Sequence, residues 1–180
     1  MARNVEIKAC IDSIEALLPL GLDLADGPPE TIAQDDTFFT CAVGRRKLRV
    51  FADGRGELIA YARPDATGPK TSNDAITPVI EPDAVRATLA LALGMSGRVI
   101  KRRTLLLIER PRVHLDRVEG LGDFMELEAV LRDGKSADDG LAVAHGLLRA
   151  LRVDAAELVS GASVDLLRQA DREPTLSATL

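Results

Sequence analysis

Short segments of this chain alternate at period two, and the second face of nearly every one carries long cations or carboxylates. Arg3 to Cys10 puts Val5, Ile7 and Ala9 on one side and Asn4, Glu6 and Lys8 on the other. Lys47 and Arg49 flank Leu48, and Lys101 and Arg103 recur at the same spacing. Arg112, His114 and Asp116 alternate with Val113 and Leu115, and Glu126 and Glu128 alternate with Met125, Leu127 and Ala129. In a strand, side chains two residues apart point to the same face. A solvated face of an ordinary antiparallel sheet gives the same alternation. Two details point away from it. Thr, Ser and Gln are scarce on the charged face. The carboxylates gather in the first and last segments, with the cations spread between. Lys and Arg side chains aimed at one space repel each other and call for an anion, which a polyphosphate fits. Clustered carboxylates suit a hard divalent cation such as Mg2+.

The remaining pattern gives the segments an order. Strands are expected at Arg3 to Cys10, Thr31 to Ala42, Arg45 to Ala52, Glu57 to Arg63, Ala75 to Glu81, Arg98 to Glu109, Arg112 to Val118 and Phe124 to Leu131. Asp53-Gly54-Arg55-Gly56 signals a hairpin. Pro64 to Asp74 reads as a polar loop. Helical spacing marks Asp12 to Leu24, capped by Asp12 or Ser13, with Pro19 expected to break or bend it. Pro82 to Leu93 is a second helix, with proline in its first turn and Gly94 past its end. From Asp138 onward the chain reads as helical, and His145 there reads as structural. Strands joined by short turns become antiparallel neighbours. The fold class expected is therefore α+β: an eight-stranded antiparallel β-barrel with helices packed outside and a helical C-terminus. One domain accounts for residues 1–180, with the barrel at about 3–132 and the C-terminal helices at about 138–170.

Composition excludes several alternatives. At 180 residues and 46% hydrophobic, the chain suits one compact core. A net charge of -5 disfavours nucleic acid and anionic membrane as partners. An outer-membrane barrel also has charge inside, but aromatic residues are only 3%, and the N-terminus lacks the apolar run of a signal peptide. No apolar stretch has the length of a membrane helix. These features predict a soluble cytoplasmic protein. Cys10 and Cys41 show no ligand spacing and read as reduced, packed thiols. Nothing matches a P-loop, a zinc site or a nucleophile–histidine pair.

Several segments match a known family in order and phase. Asn4-Val5-Glu6-Ile7-Lys8 resembles the N-terminal ExExK signature of the CYTH, or triphosphate tunnel metalloenzyme, superfamily. Lys47-Leu48-Arg49 looks like its basic strand, and Tyr61-Ala62-Arg63-Pro64-Asp65 resembles the segment with its inward arginine. Lys70-Thr71-Ser72 resembles a loop motif of the class IV adenylate cyclase-like branch, and Arg112-Val113-His114-Leu115-Asp116 its RxHLD strand. Lys101-Arg102-Arg103 looks like the KxR strand and Glu126-Leu127-Glu128 like the closing ExE. The superfamily includes class IV adenylate cyclases, thiamine and inorganic triphosphatases, and fungal-type RNA triphosphatases.

The resemblance implies a charged tunnel that binds a triphosphate with Mg2+ or Mn2+. Glu6, Glu126 and Glu128 would hold the metal. Lys8, Lys47, Arg49, Arg63, Lys70, Lys101, Arg103, Arg112 and His114 would contact substrate. Lys8, Asp116, Glu126 and Glu128 would serve catalysis. Asp116 either orients a basic neighbour or helps position water; its structural alternative is an ion pair with Arg112. Asn4 departs from the family, standing where the signature has its first glutamate, and brings a carbonyl oxygen but no charge. The expected activity is metal-dependent hydrolysis of an inorganic or organic triphosphate (tripolyphosphate, nucleoside or thiamine triphosphate). Class IV adenylate cyclase and a non-catalytic polyphosphate or nucleotide binder are the alternatives. The expected partner is a small-molecule triphosphate, with the chain itself a monomer or a homodimer.

Overall fold

The computed structural model describes residues 4–62, 70–130 and 137–172. Among these, eight strands form: β1 (Asn4–Cys10), β2 (Glu30–Phe39), β3 (Arg45–Phe51), β4 (Gly56–Ala62), β5 (Lys70–Val79), β6 (Met95–Leu107), β7 (Arg112–Val118) and β8 (Gly122–Val130). They close a barrel in the order β1-β5-β4-β3-β2-β6-β7-β8. Every neighbouring pair is antiparallel. Closure rests on β1, which pairs with β8 from Asn4 to Cys10 and with β5 from Asn4 to Glu6. The strand β5 starts at Lys70, earlier than its polar sequence suggests. Its first residues, Lys70 to Ser72, are held by backbone pairing to β1, and pairing to β4 takes over from Asn73, so no apolar alternation marks its start.

Four helices accompany the barrel: α1 (Ile14–Leu24), α2 (Pro82–Leu93), α3 (Ala137–Ala150) and α4 (Ser163–Arg172). Ser13 caps α1, its hydroxyl accepting from the Ala16 amide at 3.0 Å. Pro19 does not end this helix, which runs on to Leu24. Pro19 and Glu15 are both exposed, so the carbonyl left without an i+4 donor faces water. The apolar sides of β1, β7 and β8 (Val5, Ile7, Val113, Leu115, Met125, Leu127) pack under α1 and α3, against Leu17, Ala144, Leu148 and Leu151. Gly21 lets α1 come close, since a Cβ there would collide with Leu106 of β6. His145 lies on the exposed side of α3, away from this core. On the far side, α2 lies over β2 and β3, where Arg86 donates to Thr37 Oγ1 at 3.1 Å and Asp35 Oδ2 at 3.2 Å.

The last helix has a different place. The segment from Leu158 to Arg168 crosses the barrel end where β2 stops and β6 begins. Leu158 bridges Ala9, and the Val159 amide donates to the Lys8 carbonyl at 2.9 Å. Val164 sits on Gly97 of β6, where a Cβ would collide with it. Arg168 donates to the Ser96 carbonyl, and Leu167 meets Gly120 in the β7–β8 turn. Arg45 of β3 pairs with Asp165 at 2.8 Å. Beneath this cap, Phe38, Val99, Phe124, Ala162 and Val164 form a second apolar cluster. Cys10 and Cys41 are both free thiols, and Cys10 is exposed at the end of β1. Among the described residues, no helix is long and apolar enough to cross a membrane.

Candidate functional site

The barrel lumen holds a cavity of about 420 Å³. Period-two alternation delivers its walls: Glu6 and Lys8 from β1, Lys47 and Arg49 from β3, Lys101 and Arg103 from β6, Arg112 and His114 from β7, Glu126 and Glu128 from β8. Depth is graded. Ile76 and the Arg112 side chain are 56% and 49% exposed at one end, while Lys8 is 5% exposed beneath the cap. Arg63 lies outside the described residues. Lys70 is placed by its backbone, directly across from Glu6.

The cations do not wait unpaired for an anion. Lys47 Nζ donates to Asp36 Oδ2 at 2.6 Å, and Arg49 grips both oxygens of Asp36 at 2.8 and 2.9 Å. Burial pushes the Asp36 carboxyl up, but Lys47 and Arg49 outweigh it and hold the group well below the usual carboxylate range. Burial also pulls Lys47 down to about 7, with Asp36 opposing and Arg49 and Lys101 assisting. Across the lumen, Asp116 accepts from Lys101 Nζ at 2.5 Å and from Arg103 Nε and Nη2, each at 2.7 Å. Arg103 also donates to Glu126 Oε2 at 2.6 Å. Burial would lower the Arg103 guanidinium, but Asp116 and Glu126 raise it instead.

Register sets these partnerships. Asp116 lies directly opposite Arg103, so it pairs there and not with Arg112, which lies opposite Glu128 at 3.5 Å. Asp116 is 1% exposed and stands behind the cavity wall, saturated by its donors. His114 lines the cavity; burial, with Arg103 adding to it, takes the imidazole down to about 3, so it is neutral near pH 7.

Of the three carboxylates named for metal, two face each other: Glu6 and Glu128 are directly opposed across β1 and β8. Glu126 sits opposite Lys8, with Lys8 Nζ at 3.3 Å. Burial would raise the Glu126 carboxyl, but Lys101, Lys8 and Arg103 hold it well below its usual range. Among the described residues, no three His, Cys, Asp or Glu side chains form a ready metal cage. Two opposed carboxylates fit a hard cation that takes its other ligands from phosphate and water, as Mg2+ commonly does.

The polar lining residues that the sequence pattern did not single out include Gln34, Asp36, Asp74 and Ser163. Gln34 and Asp36 continue the alternation Ile32-x-Gln34-x-Asp36-x-Phe38 on β2, where the adjacent Phe38-Phe39 interrupts the period-two pattern. Gln34 Oε1 is buried with no hydrogen-bond partner among the described residues. Ser163 enters the cavity from the cap and left no local signal.

An antiparallel barrel whose lumen collects cations, with opposed carboxylates on its first and last strands, has the chemistry to take an anion and a hard cation together. The CYTH domain matches residues 2–162, and the chain belongs to that family. The fold is similar to the PH1012 protein of Pyrococcus horikoshii, at 20% identity, covering 91% of this chain and 99% of that one, with a TM-score of 0.77. It is also similar to a putative adenylate cyclase of Vibrio parahaemolyticus (16% identity, 92% and 97% coverage, TM-score 0.74). A third similar structure is a putative adenylyl cyclase of Hippeastrum reported to show a dominant triphosphatase activity (14% identity, 94% and 96% coverage, TM-score 0.68). No significant sequence match is found among curated proteins.

Proposed function

We propose that this protein is a divalent-metal-dependent triphosphate hydrolase of the cytoplasm, acting on an inorganic or organic triphosphate held in the barrel lumen. The observation that carries the reading is convergence: Lys8, Lys47, Arg49, Lys101, Arg103 and Arg112 all line one cavity that also holds Glu6 and Glu128. Phosphate oxygens replace the internal carboxylates as partners of these cations, which hold the chain in line and take up charge as the terminal group departs. Asp116 acts through Lys101 and Arg103, fixing their direction from behind. Neutral His114 donates a hydrogen bond without adding charge. Glu6 and Glu128 would hold Mg2+ or Mn2+, with Glu126 beside them. Such a cation, when bound, supplies neutralisation of phosphate charge and polarisation of the phosphorus that water attacks.

Cyclisation of ATP is the second reading, supported by the Arg112-to-Asp116 motif and the similarity to the Vibrio protein. It needs adenine and ribose held in line for attack on the α-phosphorus. Hydrolysis demands less positioning, and the similarity to the Hippeastrum protein agrees with it. The test is incubation with tripolyphosphate and with ATP, in Mg2+ and in Mn2+, with products separated by chromatography. Orthophosphate from either substrate, lost in Lys47→Ala, is expected. Cyclic AMP with pyrophosphate would reverse the order, and tight tripolyphosphate binding with no product would leave a binding protein.

A further inference from the structure

The cap brings one polar side chain to the phosphate site from far along the sequence. Ser163 Oγ accepts a hydrogen bond from Lys8 Nζ at 2.5 Å, across 155 positions. Both residues are buried, Ser163 at 9% exposure. Lys8 Nζ also lies 3.3 Å from Glu126 Oε1 and 4.7 Å from the centre of the Phe124 ring. An ammonium on a four-carbon stem has three donors and little intrinsic direction. Here its direction is imposed by one hydroxyl, one carboxylate and one ring face.

The hydroxyl is itself held in place. The Ala162 amide donates to Asp165 Oδ2 at 3.0 Å, and the same oxygen pairs with Arg45 of β3 at 2.8 Å. The Val159 amide ties the segment to the Lys8 carbonyl, so backbone and side chain of one lysine are gripped by the same stretch. Gly97 leaves the space that Val164, next to Ser163, fills. Without Ser163, the strongest partner left to Lys8 is Glu126. The ammonium would then turn toward that carboxylate and away from a phosphate.

We infer that Ser163 is a positioning residue for triphosphate binding, acting through Lys8, so that the C-terminal cap completes the site. The inference rests on the triphosphate reading above.

The test is tripolyphosphate turnover in Mn2+ by the full chain, with KM and kcat measured separately. Ser163→Ala should raise KM about tenfold, the scale of one hydrogen bond to a charged group, with kcat changed much less. Ser163→Thr, which keeps the hydroxyl, should restore KM. In a Lys8→Ala background, Ser163→Ala should add nothing, because the path runs through the lysine. Melting temperature without ligand is followed in each variant; if alanine loosens the cap, Ser163→Cys keeps the volume and is expected to show the same rise in KM. An unchanged KM in a folded Ser163→Ala protein, or full additivity with Lys8→Ala, overturns the inference and leaves the proposed function intact. A wild-type protein that neither binds tripolyphosphate nor releases phosphate overturns both.

Discussion

Two walls of the lumen carry the same unit. On β3 it is Lys47-Leu48-Arg49 against Asp36; on β6 it is Lys101-Arg102-Arg103 against Asp116. In each, the arginine lies directly across from the buried aspartate on the neighbouring strand. The difference is in what stands behind. Asp36 is the carboxylate that both Lys47 and Arg49 grip, and it lines the cavity. On the other wall, Glu126 takes a second bond from Arg103 and lies 4.0 Å from Lys101. A phosphate entering as proposed would compete with one carboxylate at the first wall and with two at the second, so the β3 wall is expected to reorganise more readily than the β6 wall.

Removing each aspartate separates the walls. Asp36→Asn should cost about 3–5 kcal/mol in chemical denaturation, the usual penalty for stranding buried charge. Asp116→Asn should cost less, because Glu126 still pairs Arg103. Tripolyphosphate should then raise the melting temperature of Asp36→Asn more than that of the wild type, since it supplies the missing negative charge. Equal losses in the two variants would break the contrast.

Metal comes next in size. Calorimetry with Mn2+ should show binding lost in Glu6→Gln with Glu128→Gln, the opposed pair. Glu126→Gln should weaken it by a smaller factor, its carboxylate being engaged by Arg103 and Lys8. The reverse order would move the metal down the lumen.

Acidity sharpens the comparison further. The Asp36 carboxyl is depressed in the folded state from an ordinary 3.8, so its stabilisation is present above that value and lost as pH falls below it. The wild type and Asp36→Asn should converge in stability in acid. Lys47 gives the same sign at higher pH: with a folded value of about 7 against 10.5, the folded protein binds fewer protons than the unfolded chain between those values, so stability again rises with pH. Its charged form is a cost below about 7, relieved as pH rises toward 10.5. A bound triphosphate favours the charged ammonium. Binding near pH 8 should therefore take up a proton, seen as a buffer-dependent enthalpy that Lys47→Met removes.

The smallest effect belongs to Arg112. Its pairing with Glu128 is 3.5 Å long and half exposed, so Arg112→Ala should change stability by about 1 kcal/mol or less. Its effect on tripolyphosphate KM should exceed that change.

The strands and their phase were legible because alternation is local: Val113, Leu115, Met125 and Leu127 face the outer core, and their neighbours face the lumen. Partner choice was not, since it depends on register between strands. The carboxylates also reach beyond the first and last strands, because Asp36 on β2 and Asp116 on β7 neutralise the cations around them. The start of β5 was hidden because backbone pairing to β1, and no apolar face, makes Lys70 to Ser72 a strand.

By itself, the sequence determined which side chains share a face of each strand and that one of those faces is charged, because period two is a local property. Only the tertiary structure decided that Asp116 clamps Arg103 and not Arg112, that Glu6 meets Glu128, and that Ser163 reaches Lys8. Those contacts join residues from 13 to 155 positions apart, and no local pattern encodes the closure and capping that bring them together.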